Sequence, residues 1–502
     1  MVALGKFTPA VVALLATLVL GQGRNGQAPA SSTQLLTQAI VALGGNESLS
    51  AVRDVTYVGG GVYRTKSVAQ TFTITSMDQG IAGAGRQNVS FAFDQPYIKQ
   101  RIDRFHPLDS FFIWARPNLE PMDFSLAVQG GENGFAAVVA GSFGIFAPGA
   151  PPQGYRDGLL AAYLILSNQN HTSRWEETNA GIRLPAVYDG TLDLAVLLDP
   201  VTSLPYIIRS YENHSFFGRV TQDLVVHDYT TVNGVGFPRR FKTIFNREHV
   251  VSDYSVGSVI VNSDIASTRF EGPAGRLPAH APRRDRLYDF AEIGEFNSIY
   301  SWNGQYAGTF ENVTAVNPWT DLPGVWLITV TNAPGVRQLV IEVGSSVVVL
   351  DAPPHQSLLI IQWVRERLGK SVTHIWPTHH HHDHAYGVTD YVAAGARVIA
   401  LDEAVGYYSN IPRDRFITYT TTLVFDADDA NTGNVPVSNH ATLTAALNKF
   451  AADRVGVNTT FVPAHGDRAP LRRIIDGIGG LHRALVMLRD SKVHGLRVEE
   501  FG

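Results

Sequence analysis

The stretch Thr378-His379-His380-His381-His382-Asp383-His384-Ala385-Tyr386-Gly387 constrains this chain more than any other. An apolar run from Val372 to Trp376 leads into it, and a weakly helical segment from Val388 to Gly395 follows. Successive side chains of an extended segment face opposite ways, so His379 and His381 are expected to converge while His380 and His382 turn away. Asp383 and His384 then fall where the chain bends toward the helix, within reach of a second point nearby. Imidazoles and a carboxylate at this spacing suit Zn²⁺ or a similar borderline metal ion. The preceding strand, the embedded acid and Gly387 set the tract apart from an accidental histidine run.

Such a site needs a firm scaffold, and 502 residues, 45% hydrophobic and 17% charged, are enough for two domains with complete cores. The net charge of −5 gives no electrostatic case for nucleic acid or an anionic membrane. With no cysteine in the chain, thiolate zinc sites and thiol nucleophiles are excluded. Residues 1–22 read as a secretory signal peptide: Lys6 supplies the positive start, and Ala10 to Leu20 is an apolar region too short for a comfortable membrane span. The protein is therefore expected to be extracellular. Asn46, Asn88, Asn170, Asn213, Asn312 and Asn458 each open an Asn-x-Ser/Thr triplet, which predicts a glycoprotein.

The spacing predicts a short helix over Thr33 to Leu43, closed by Gly44-Gly45. From Val52 to about Phe270 the pattern is mostly strand-like, with Val55–Val58, Phe72–Thr75, Val225–Tyr229 and Phe241–Phe245 as β-rich runs. Phe135 to Phe146 and Asp157 to Leu166 read as helices. Leu192–Pro200 and Leu204–Ile208 read as a hairpin around a Pro-Val-Thr-Ser turn. Residues 33–270 thus form a β-rich, α+β domain that distantly resembles the lipoprotein-carrier-like half-barrels preceding some secreted hydrolase domains. Its histidines (His106, His171, His214, His227, His249) lack ligand spacing and read as surface or packing residues.

Residues 271–286 are rich in Pro, Gly and Arg and mark a linker. In residues 287–502 strands and helices alternate. Val325–Val330 reads as a strand, Gln338–Val343 and Val347–Leu350 as a hairpin, and Gln356–Leu368 as an amphipathic helix stopped by Gly369. Val372–Trp376 and Arg397–Ala400 read as the next strands. Alternation of this kind implies an α/β layered domain with a site at strand ends.

The pattern Thr-His-x-His-x-Asp-His-x-x-Gly, placed after two strands and a helix, resembles the metallo-β-lactamase superfamily over about Val325 to Gly466. The resemblance implies an αββα sandwich. It makes His379 and His381 ligands of a first metal, and Asp383 and His384 ligands of a second. Asp383 is also implied as the catalytic group that orients the nucleophile or carries its proton. Phe461-Val462-Pro463-Ala464-His465-Gly466 resembles the family's closing element, which makes His465 a further ligand of the second metal. The bridging carboxylate is expected at Asp428, with Asp426 and Asp429 as neighbouring registers, and Asp351 matches a position that holds the loop beneath the site. One departure stands out: the family places another His before the bridging acid, and none occurs from Ala385 through Asp428. The second site is therefore better supplied than the first. The implied protein is a secreted hydrolase with one or two zinc ions, acting on a small-molecule ester, lactone, thioester or amide. The alternative is a secreted ligand-binding protein whose metal domain is degraded.

Overall fold

Ser31 starts the first helix for a local reason. Its hydroxyl accepts the Gln34 N–H, satisfying one of the donors that a helix start leaves without an intrahelical partner. In a computed structural model this helix, α1, spans Ser32–Ala42 and is followed by the short α2 (Asn46–Ser50). The structure describes residues 28–65, 83–93, 99–109, 122–129, 135–140, 143–148, 171–190, 193–215, 217–271, 309–317, 323–330, 333–353, 356–378, 382–419, 460–461 and 469–470. The expected closure by glycine is present. Gly44 has φ +118°, and a Cβ there would come 1.9 Å from the Gly234 carbonyl oxygen, so no other residue fits.

Among the described residues the first half forms one antiparallel sheet. Its strands are β1 (Asp54–Thr65), β2 (Gly83–Ala92), β3 (Lys99–Asp109), β4 (Met122–Gln129), β5 (Phe135–Ala140), β6 (Phe143–Pro148), β7 (His171–Glu177), β8 (Arg183–Asp189), β9 (Leu194–Leu198), β10 (Pro205–His214), β11 (Gly218–Val232), β12 (Val235–Phe245) and β13 (His249–Val261). Their order, β6-β5-β4-β3-β2-β1-β13-β12-β11-β10-β9-β8-β7, is two meanders joined where β1 pairs with β13. The helix expected over Phe135 to Phe146 is instead the β5–β6 hairpin, with Ala140 opposite Phe143. Residues 135–139 pair in backbone register with β4, so strand pairing overrides the helical propensity of the alanines. The hairpin expected around residues 200–203 is present as β9 and β10. The run Phe72–Thr75 and the helix expected over Asp157 to Leu166 lie outside the described residues.

Both faces of β8–β11 are buried, which is why Leu194–Leu198 reads as an unbroken apolar run. Val196, Ile208 and Leu224 pack with Leu35, Ala39 and Leu43 of the helical segment, while Leu197, Ile207 and Val225 belong to a second cluster on the other face. That second face carries charge. The Arg209 side chain is 0% exposed and donates from Nε and a terminal nitrogen to the two Asp223 oxygens at 2.7 and 2.8 Å. Its other terminal nitrogen donates to Glu176 Oε2 at 2.8 Å, and the Tyr211 hydroxyl donates to Glu176 Oε1 at 2.6 Å.

Burial raises the Glu176 pKa, but the Tyr211 hydrogen bond and the Arg174 and Arg209 charges outweigh it, so the net shift is downward. A depressed carboxylate contributes stability above its unfolded pKa and loses it as pH falls through the folded value. The melting temperature should therefore drop on acidification below about pH 4.3. The gap between wild type and Glu176→Gln should narrow over the same range. A gap that stayed constant from pH 7 to pH 3 would show that Glu176 is not the group responsible.

The second half forms a mixed sheet of β14 (Val313–Val316), β15 (Val325–Val330), β16 (Ala333–Val343), β17 (Ser346–Leu350), β18 (His374–Trp376), β19 (Arg397–Leu401) and β20 (Phe416–Tyr419), in that order. The expected β16–β17 hairpin is present, with Val343 opposite Ser346, and β17 to β20 run parallel. Helices α3 (Ser357–Leu368) and α5 (Val388–Ala393), with the single turn α4 (His382–Ala385) between them in sequence, complete the described elements near it. Gly369 ends α3 with φ +62°, as its position predicts. Ile360, Trp363, Val364 and Tyr391 bury against Ile328, Val340, Val349, Ile375 and Val398 of the sheet. The αββα expectation is met only in part. The described residues are mostly β with few helices, and this half contributes one large sheet with helices packed on it, plus a two-residue pair of strands far along the chain. Among the described residues no helix is long and apolar enough to cross a membrane.

Candidate metal centre

Parallel strands β17 and β18 lie side by side, with Leu350 opposite Trp376, and both end at the same edge. The Asp351 N–H donates to the Trp376 carbonyl at 3.0 Å, so the two chain exits are tied together. Strand ends of this kind are where parallel sheets gather ligands. Asp351 itself has φ +66°, a left-handed conformation that Asp tolerates better than most residues.

The Asp351 carboxylate faces the histidine tract. Its Oδ1 accepts the Thr378 N–H at 2.7 Å, and its Oδ2 lies 3.0 Å from Nδ1 of His384. The Thr378 hydroxyl is 3.2 Å from the same nitrogen. A carboxylate only accepts, so Nδ1 carries a proton, and in the neutral ring Nε2 presents the lone pair. This is the arrangement in which a carboxylate orients a metal-binding imidazole and raises its basicity. Both partners are buried, with His384 3% and Asp351 5% exposed. Burial and, next, the charge of Asp351 push the Tyr408 phenol upward, so this ring stays protonated beside the pair.

The backbone holds the same turn. The Ala352 N–H donates to the His384 carbonyl at 2.7 Å, and the Gly387 N–H donates to the Ala352 carbonyl at 2.8 Å. Gly387 is required by this approach, because a Cβ would stand 2.9 Å from Cβ and Oγ of Ser357. The Ser357 hydroxyl in turn donates to Asp390 on α5.

Of the expected ligands, His384 is the one whose side chain the structure describes. It fits a metal ligand by donor chemistry. Asp383 belongs to α4 by its backbone, whereas its side chain, together with His379, His381, Asp428 and His465, lies outside the described residues. By its backbone His382 already belongs to the helical turn α4. Once N–H groups bond within a helix, the two-residue period gives way to 3.6. Near the last expected ligand, β21 (Thr460–Phe461) pairs antiparallel with β22 (Ala469–Pro470), and His465 falls in the connection between them. Among the described residues no group of three or more His, Asp or Glu side chains is gathered for a metal ion.

Sequence reasoning missed one contributor. The turn between β10 and β11 packs on the segment that follows His384. Its residues have no local signature, since the contact spans more than 170 positions of chain. Only their apolar and aromatic character (His214, Phe217) hinted at burial.

No family model matches the chain, and no curated protein matches it. Among solved structures, a metallo-beta-lactamase from Pontibacter korlensis is similar at 15% identity, covering 33% of this chain and 99% of that one, with a TM-score of 0.27. The metallo-beta-lactamase FIM-1 from Pseudomonas aeruginosa, in its mono-zinc form, is similar at 18% identity over 34% of this chain and 95% of its own, with a TM-score of 0.25. A DUF1329 family protein from Desulfovibrio piger is similar at 10% identity over 48% of this chain and 97% of its own, with a TM-score of 0.29.

Proposed function

We propose that this chain is a secreted, zinc-dependent hydrolase of small-molecule esters, lactones, thioesters or amides. The observation that carries the reading is the buried Asp351–His384 pair at the joined ends of two parallel strands, where the histidine tract leaves the sheet. His379 and His381 would hold one ion. Asp383, His384 and His465 would hold a second, with Asp428 between the two. A zinc-bound water has its pKa lowered to about 7, which supplies hydroxide at neutral pH.

The chain's own residues have defined tasks in this reading. Asp351 fixes the His384 tautomer and ring plane. Asp383 is the group proposed to orient the attacking oxygen and accept its proton. The αββα sandwich is proposed for residues 287–502, following a β-rich domain over 33–270 and a linker over 271–286. A signal peptide over residues 1–22 and glycans on the Asn-x-Ser/Thr triplets belong to the same proposal.

The second reading, a ligand-binding protein with a vestigial metal domain, is favoured by the absence of any His from Ala385 through Asp428. Metal content separates the two. Protein equilibrated with zinc and freed of excess is expected to retain two ions per chain if both sites are complete, and one if only the second is. A chain that retains none would sink the hydrolase and favour the binding protein.

A further inference from the structure

The tip of the β10–β11 hairpin sits against the turn that carries His384. His214 closes β10 opposite Gly218, and both His214 and Ser215 are 0% exposed. The His214 ring meets the Tyr386 ring edge-on at 5.1 Å and stacks on Phe217 at 4.5 Å. Phe217 in turn meets Tyr407 at 5.3 Å. The Ser215 hydroxyl donates to Thr389 Oγ1 at 3.0 Å, and the Thr389 hydroxyl donates to the Ser215 carbonyl at 2.6 Å. Gly218 approaches Asn410 so closely that a Cβ would stand 3.0 Å from its side-chain oxygen. Tyr386, itself 0% exposed, is two residues from His384. Val220 and Phe245 of the first sheet are counted into the apolar core of the second half.

Within its own half the turn is held through Asp351, Ala352 and Ser357. The hairpin adds a second set of contacts on Tyr386 and Thr389, from a sheet built more than 150 residues earlier. Contacts that lock a ligand's neighbours limit how far its ring can wander from the productive position. We infer that His214, Ser215 and Phe217 are positioning residues, through which the first sheet sets the placement of the His384–Gly387 turn and hence its affinity for metal. The inference deepens the zinc reading above and rests on it for its metal readout.

Two measurements test it on the full chain: amide hydrogen exchange over residues 384–388 in metal-free protein, and the zinc dissociation constant by chelator competition. Phe217→Ala, which empties the space between His214 and Tyr407, is expected to speed exchange and weaken zinc binding by about tenfold each. Thr389→Val keeps the volume but loses both hydrogen bonds, and should move both readouts by roughly threefold. Phe217→Leu should restore most of the binding. Leu197→Ala, in the apolar cluster on β9, should lower the melting temperature and move neither readout. If Phe217→Ala fails to fold, Thr389→Val carries the test. Wild-type exchange and wild-type affinity in the Phe217→Ala and Thr389→Val variants would overturn the inference and leave only a packing contact. A wild type that binds no zinc would instead defeat the hydrolase reading, and the exchange rates alone would then decide whether the hairpin holds the turn.

Discussion

His384→Ala is expected to strip the second zinc site and cut turnover of a chromogenic ester by on the order of 100-fold or more. Even removal of a supporting partner around a metal ligand typically costs 10–100-fold. The ring removed here is itself the proposed ligand, so the loss should sit at or beyond the top of that range. The fold should survive, because Asp351 retains the Thr378 N–H and the turn retains its backbone bonds to Ala352. His380→Ala is the matched control. If the run alternates as an extended segment does, its ring is expected to turn away from His379 and His381, and its loss should change zinc content and turnover by less than about twofold. Zinc per chain, turnover and a circular-dichroism melt on the two variants check this. Equal losses from both would break the assignment of roles along the tract.

Arg209→Ala is expected to cost about 3–5 kcal/mol of stability, because it leaves the Asp223 carboxylate buried without its counter-charge and removes one of the two arginines paired with Glu176. At about 2–4 °C per kcal/mol for a domain of this size, the melting temperature should fall by roughly 6–20 °C. In the native chain burial pulls the Arg209 pKa down, but the hydrogen bonds and charge of Asp223, followed by Tyr211 and Glu176, leave it raised. The guanidinium therefore stays charged at any pH at which the sheet is folded. Replacing Arg209, Asp223 and Glu176 together by apolar residues of similar volume should recover most of the loss, since the cost lies in stranding a charge rather than in losing a contact. A single variant melting within about 2 °C of wild type would show that the buried network contributes little.

Local chemistry made several elements legible from the residues alone. Gly44-Gly45 close α1. Gly369 stops α3. The two-residue turn after Val343 fixes the β16–β17 hairpin. Phe135–Pro148 was illegible because its alanines favour helix in isolation and only the pairing with β4 selects strand. In the candidate centre, the tract and Gly387 declared themselves by spacing. The Asp351–His384 bond depends on two strands meeting side by side and has no sequence spacing of its own. The hairpin contact with Tyr386 was further out of reach, because it follows from how two sheets pack rather than from any run of residues.

The seam between β1 and β13 has a consequence for how the chain is made. Every other neighbouring pair in the large sheet joins strands consecutive in sequence and can form as soon as its turn has been synthesised. Val55 finds Val261 only after the intervening chain has left the ribosome. Until then β1 and the first meander present an open strand edge, the feature that invites pairing with a stranger. A nascent chain stalled before residue 249 should thus depend on chaperones far more than one released just beyond residue 261.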